Sequence, residues 1–337
     1  MTLRIGVAAA LVMSLAGPAM GVDIETVPVG NPGNAGELSG IGAGGDGPDR
    51  ICGAVDYTYN IGKYEVTAGQ YTEFLNAVAD TDTYGLCSSD MWSSSYGCKI
   101  QQTGSPGSYT YSVAADWADR PVNYVSWGDA VRFANWLENG QPVGAQDLTT
   151  TEDGSYYLNG ATSDAALLAV VRHQRDDIWA IPSEDEWYKA AFHKNDGVTG
   201  NYFDYPTSSD STPSNVLDLG GNNATFDDSG YTIDSPYYRT EVGAHENSET
   251  PYDTFDQGGN VWELNETVIG SYRGLRGGSF GNTAVTLHAS DRRYYNSPAG
   301  EGIYVGFRVA EVPEPASLAL LALGGVGMLV RRKGVRA

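Results

Sequence analysis

Three short stretches in the C-terminal third decide how this chain reads: Gly259-Asn260-Val261-Trp262-Glu263, Arg276-Gly277-Gly278-Ser279-Phe280 and Gly306-Phe307-Arg308-Val309. They follow residues 195–255, which are dense in Gly, Asn, Asp and Tyr and read as loop and short strand. Loops of that length need a tie, a metal or a disulfide, to hold one shape. Upstream the pattern changes. Thr67 with Gln70, Ser126 with Asp129, and Ser183 with Glu186 have the spacing at which two side chains reciprocally satisfy the first N–H groups of a helix. Tyr71, Phe74, Leu75 and Val78 recur at helical spacing behind the first cap, Trp127, Ala130, Val131 and Ala134 behind the second, and the third helix runs to Ala191. Residues 23–50 read as a Gly- and Pro-rich lead-in, 55–61 as a strand, 81–118 as a long loop insertion and 156–160 as a small hairpin.

Composition narrows the function. The chain has 337 residues, and 20 Lys+Arg against 42 Asp+Glu give a net charge of −22. Five of the basic residues are Arg4, Arg331, Arg332, Lys333 and Arg336, which leaves 15 basic against 42 acidic side chains between the ends, a charge of −27. Such a body has no basic surface with which to displace counterions from phosphates, so general nucleic-acid binding is excluded, and docking on anionic lipid is disfavoured. With 43 Gly and 22 Tyr it is a loop-rich, tyrosine-rich chain rather than a helical bundle.

Both ends read as addresses. Arg4, the apolar run 5–16 and the small residues 17–21 form a secretory leader, residues 1–21, with cleavage expected at Gly21–Val22. At the other end Val312-Pro313-Glu314-Pro315 precedes an uncharged run, residues 316–330, and then Arg331-Arg332-Lys333. As a helix that run would span roughly 22 Å at about 1.5 Å per residue, short of the ~30 Å hydrocarbon core, and the basic cluster would hold its end in the cytoplasm. Residues 313–337 resemble the PEP-CTERM sorting signal of Gram-negative bacteria, which implies exosortase-type sorting machinery and export to the cell envelope or extracellular matrix, with the tail either cut or kept as an anchor. No composition shift divides the intervening residues, so 22–312 reads as one domain. In an oxidising compartment Cys87 and Cys98 are the expected disulfide, leaving Cys52 odd. The four histidines lie far apart in sequence, so a histidine-bound catalytic metal is not expected.

With Glu65-Val66-Thr67, Pro121-Val122, Val125-Ser126-Trp127 and 181–187 added, the three opening stretches complete a series that resembles, in order and across roughly residues 55–310, the formylglycine-generating enzyme (sulfatase-modifying factor) family. The resemblance implies an α+β, C-type-lectin-like fold with little regular secondary structure. It also implies a copper-dependent oxidase whose two cysteines follow the Gly-Gly-Ser motif. At those positions this chain has Asn282 and Leu287. Neither supplies the soft thiolate that Cu(I) requires, and neither can exchange with a substrate thiol. Copper and the oxidase reaction are therefore not expected. The resemblance further implies calcium, held by Asp256 and Glu263 through carboxylates and by Gly259 and Val261 through carbonyls, and a weaker second set at Asn215, Val216 and Tyr231. A tight Gly258-Gly259 turn would let carbonyls converge on a hard cation.

Arg292 and Arg293 are expected to pair with internal carboxylates, and Trp127, Trp187 and Trp262 to fill the core. Tyr109, Tyr111, Tyr231, Tyr237 and Tyr238 are the candidates for stacking on carbohydrate. The reading is an exported, calcium-stabilised binding module for an extracellular polysaccharide or an envelope protein. The alternative is an active sulfatase-modifying oxidase or related oxidoreductase.

Overall fold

A computed structural model describes residues 21–175, 178–294 and 296–313. The leader, apart from Gly21, and the sorting tail, apart from Pro313, lie outside the described residues.

All three anticipated helices form, and each opens with a reciprocal cap: α1 (Ala68–Val78) on Thr67 and Gln70, α2 (Trp127–Glu138) on Ser126 and Asp129, α3 (Glu184–Phe192) on Ser183 and Glu186. The apolar faces of α1 and α2 meet in the main core, whereas α3 turns Trp187, Tyr188, Ala191 and Phe192 into a smaller cluster with Cys52, Tyr202 and Ala289. Phe74 packs edge-on against Phe133 at 5.3 Å, and Phe307, from the last of the quoted stretches, packs on Phe133 at 5.5 Å and on Tyr71 at 6.4 Å. Burying four aromatic side chains of this size contributes several kcal/mol at ~25 cal/mol per Å², so Phe307 ties the C-terminal stretch to both N-terminal helices.

Two small sheets flank this core. The first contains β1 (Thr26–Val29), β2 (Tyr59–Gly62), β3 (Ile178–Ala180) and a C-terminal strand, Ala310–Val312, in the order β1, β2, C-terminal strand, β3. All its pairings are antiparallel, with Thr26 opposite Gly62 and Ala310 opposite both Ile61 and Ala180. The ends of the domain thus sit on either side of β2. The second sheet is built by β4 (Trp262–Ile269), antiparallel to β5 (Tyr272–Arg276) and parallel to β6 (Val305–Gly306), and Ala310–Val312 is then β7. Residues 307–309 carry the chain from one sheet to the other. The quoted stretches are therefore the second sheet and its bridge to the first.

The irregular regions differ in detail from expectation. The insertion holds two short helices, Ser89–Ser93 and Ala115–Ala118, and a ribbon of Gln101–Thr103 with Thr110–Ser112. Segments this short have too few residues to show a period. The lead-in contributes β1 and a ribbon of Glu37–Ser39 with Arg50–Cys52. Tyr156 bridges Arg172 instead of closing a hairpin on residue 160, because its N–H is taken by Asn135 of α2. The Cys87–Cys98 bond is not formed, and all three cysteines are free thiols. Each thiol of the expected pair is turned to a backbone carbonyl, Cys87 to Ser88 and Cys98 to Asn123.

Candidate functional site

The acidic run Ser183-Glu184-Asp185-Glu186 is spent on structure. Glu184 accepts from Arg276 at 2.8 Å and from Arg292 at 2.7 Å, with Arg50 at 3.2 Å. Burial pushes its carboxyl up, but Arg276, Arg292 and Arg50 outweigh that and hold it at about 2. Glu186 closes the cap of α3 and pairs with Arg172 at 3.0 Å. Arg293 pairs with Asp46 and Asp291. The expectation for Arg292 and Arg293 holds.

Beside this lattice lies a second buried group. Arg308 grips Glu263 with two hydrogen bonds and also donates to the carbonyls of Gly62 and Phe255, while Trp187 Nε1 donates to Glu263 at 2.7 Å. Glu65 faces the same guanidinium and accepts from the N–H of Val261 and from the Asn260 amide, both at 3.2 Å. Burial, then Asp256 and Glu263, raise the Glu65 carboxyl well above its ordinary range, and burial pushes Asp256 up to about 6. Gly259 has φ 90°, and a Cβ there would lie 2.2 Å from the Thr225 carbonyl, so this turn requires glycine.

These contacts test the calcium expectation. Glu263 does not fit as a ligand, because both its oxygens are committed to Arg308 and Trp187. Asp256 fits better: one oxygen accepts from the N–H of Gly243 at 2.6 Å, and the other has no donor among the described residues. The carbonyls of Gly259 and Val261 likewise have no donor among the described residues. Three oxygens of the expected set thus remain to a cation. At the second set Asn215 donates its Nδ2 to the carbonyls of Gly230 (2.8 Å) and Phe226 (3.3 Å), Val216 is exposed, and Tyr231 packs on Tyr238.

The positions of the missing thiols separate. Leu287 is fully buried in a small core with Tyr205, Ala224 and Phe226. Asn282 lies at the mouth of a cleft of about 320 Å³, walled by Trp262, Leu275, Ile303, Tyr304 and Val305, with Arg293 and Asn296 on its polar side. No cysteine lines it. Cys98 is buried, which raises its thiol pKa. Cys52 is buried against Arg276, and burial pushes its thiol up to about 11. A protonated, enclosed thiol is a poor nucleophile.

Trp127 and Trp187 fill the core as expected, whereas Trp262 also forms cleft wall. Of the tyrosine candidates Tyr231 and Tyr238 join Tyr96 and Tyr304 around Phe280, with ring centroids 4.6–6.3 Å apart. Tyr111 is buried, and Tyr237 packs on Trp117 and Arg120, away from that group. Tyr96, Tyr304, Asn296 and Glu65 escaped the sequence reading as site residues. Only Glu65 carried a signal, its place beside the Thr67 cap; the others come together through tertiary contacts between distant loops.

Residues 53–312 match the sulfatase-modifying factor enzyme 1-like domain, and residues 311–333 match the PEP-CTERM protein-sorting motif. No curated protein matches the sequence. The fold is similar to that of CarF, at 18% identity and TM-score 0.50, covering 86% of this chain and 98% of that one. It is also similar to Treponema denticola variable protein 1, at 17% identity and TM-score 0.51, covering 89% and 98%. Likeness at that identity concerns the α+β, loop-rich fold alone. Among the described residues no helix is long and apolar enough to cross a membrane.

Proposed function

Because the chain belongs to the sulfatase-modifying factor enzyme 1-like family and carries the sorting motif of an exported, envelope-directed protein, we propose that it is a binding module in which the family's oxidase site has become a recognition cleft. The observation that carries this reading is the pair Asn282 and Leu287. One is a hydrogen-bonding amide in the cleft and the other a core side chain, so the soft ligands for Cu(I) and the thiol for exchange are both missing. The partner is an extracellular polysaccharide or an envelope protein. Calcium serves as a structural tie, held by the Asp256 carboxylate and the carbonyls of Gly259 and Val261. It would supply a fixed positive charge next to Asp256, and it leaves Glu263 with Arg308.

Titrating the purified protein with Cu(I) against a competing chelator tests the oxidase half of the proposal. No stoichiometric site is expected. Tight uptake of one copper ion per chain, reduced by Asn282→Ala, would overturn the recognition reading and restore the oxidoreductase.

A further inference from the structure

We propose that the cleft reads an uncharged glycan chain, with Asn282 Nδ2 and Asn296 Oδ1 as its specificity-setting donor and acceptor; this rests on the binding-module reading above. The orientation of both amides follows from their neighbours. Trp262 Nε1 can only donate, and it lies 2.7 Å from Asn282 Oδ1, which also accepts from Ser279 Oγ at 2.6 Å. Nδ2 of Asn282, without a partner among the described residues, is left to the cleft. On the other side Asn296 Nδ2 donates to the Gly300 carbonyl at 2.8 Å, a group that can only accept, and this leaves Oδ1 without a donor among the described residues.

One free donor and one free acceptor among the lining residues suit a hydroxyl-bearing ligand, since a hydroxyl both gives and receives. An anion would want donors only. The cleft's cation, Arg293, is already neutralised by Asp46 and Asp291, and the −27 of the body repels acidic chains. Trp262, beside the Asn282 amide, and Tyr304 also line the cleft and offer aromatic surface for the C–H face of a sugar ring. Through Tyr304 that surface continues onto the Phe280 group, where Tyr96, Tyr231 and Tyr238 are each half-buried. Rings held by one another cost little ordering entropy on binding, so this platform would take the neighbouring sugar units.

The test is calorimetric titration of the full-length protein. Neutral probes are hexasaccharides of β-1,4-glucan, α-1,4-glucan and β-1,4-mannan; acidic ones are alginate and polygalacturonate hexasaccharides, with an uncharged hexapeptide as a third class. Saturable binding of a neutral hexasaccharide is expected. Asn282→Asp, which keeps an oxygen for Trp262 and Ser279 but removes the free donor, should weaken it about tenfold, the worth of one hydrogen bond, without lowering the melting temperature. Tyr304→Ala should weaken it as well. No neutral binding, or affinity unmoved by both variants, would overturn the glycan assignment. Binding of only the acidic chains or only the peptide would overturn it too, yet leave the binding module standing. Copper uptake with thiol oxidation would instead sink the reading beneath it.

Discussion

Arg308 is surrounded by three carboxyls, Glu263, Glu65 and Asp256, and hydrogen-bonds to the first of them with two of its nitrogens. Arg308→Met would strand Glu263 as an unpaired carboxylate in a fully buried site. Breaking one side of a buried pair costs about 3–5 kcal/mol, and that loss should appear in urea unfolding; a change below about 1 kcal/mol would contradict the geometry described here. Other buried carboxyls make stability depend on pH. Burial pushes Asp129 up to about 7 from an ordinary 3.8, against its Ser126 hydrogen bonds, and pushes Asp291 up to about 6. A carboxyl that holds its proton more tightly folded than unfolded favours the fold at low pH, and this advantage is lost as pH rises from about 4 through 7. Glu184, held at about 2, has the opposite sign: its contribution is present above about 4.5 and disappears as pH falls toward 2. Melting in chelator should therefore peak near about pH 4 and decline toward 7. Asp129→Asn should flatten the decline, and an unchanged slope would remove Asp129 as its source.

At the scale of elements, local chemistry was legible and long-range pairing was not. The caps at Thr67, Ser126 and Ser183 could be read because a helix start is written within four residues, and all three close as reciprocal boxes. Ser183→Ala should cost about 1 kcal/mol in urea unfolding, and no loss would show that Arg172 alone positions Glu186. Asn282 and Leu287 were found by counting from the Gly-Gly-Ser motif, but their fates could not be. Leu287 turns into a core with Tyr205, Ala224 and Phe226, while Asn282 stays at the cleft under Trp262. Glu263 misled for the same reason. Its neighbours in sequence suit a cation turn, but Arg308, 45 positions away, takes the carboxylate. The cysteine pairing followed spacing and compartment, whereas the thiols face separate carbonyls.

For the whole molecule, the cation proposed at Asp256 and Gly259 would tie down the long irregular stretch of residues 195–260, so that proposal is a statement about global stability. Excess calcium should raise the melting temperature over chelator, since a ligand at about 100 times its Kd adds ~2.7 kcal/mol to the folded state. Asp256→Ala should remove the difference and Glu263→Gln should not; no shift in the unaltered protein would reject the site. The sorting motif begins at residue 311, within strand β7 beside β2, so the address overlaps the last strand of the sheet that joins the two ends.

Incubating the purified protein with copper, oxygen and a Cys-x-Pro-x-Arg peptide and weighing the peptide decides between the proposed recognition cleft and an active oxidase. An unaltered cysteine is expected at every time point. Accumulation of formylglycine, dependent on this chain, would contradict the recognition reading.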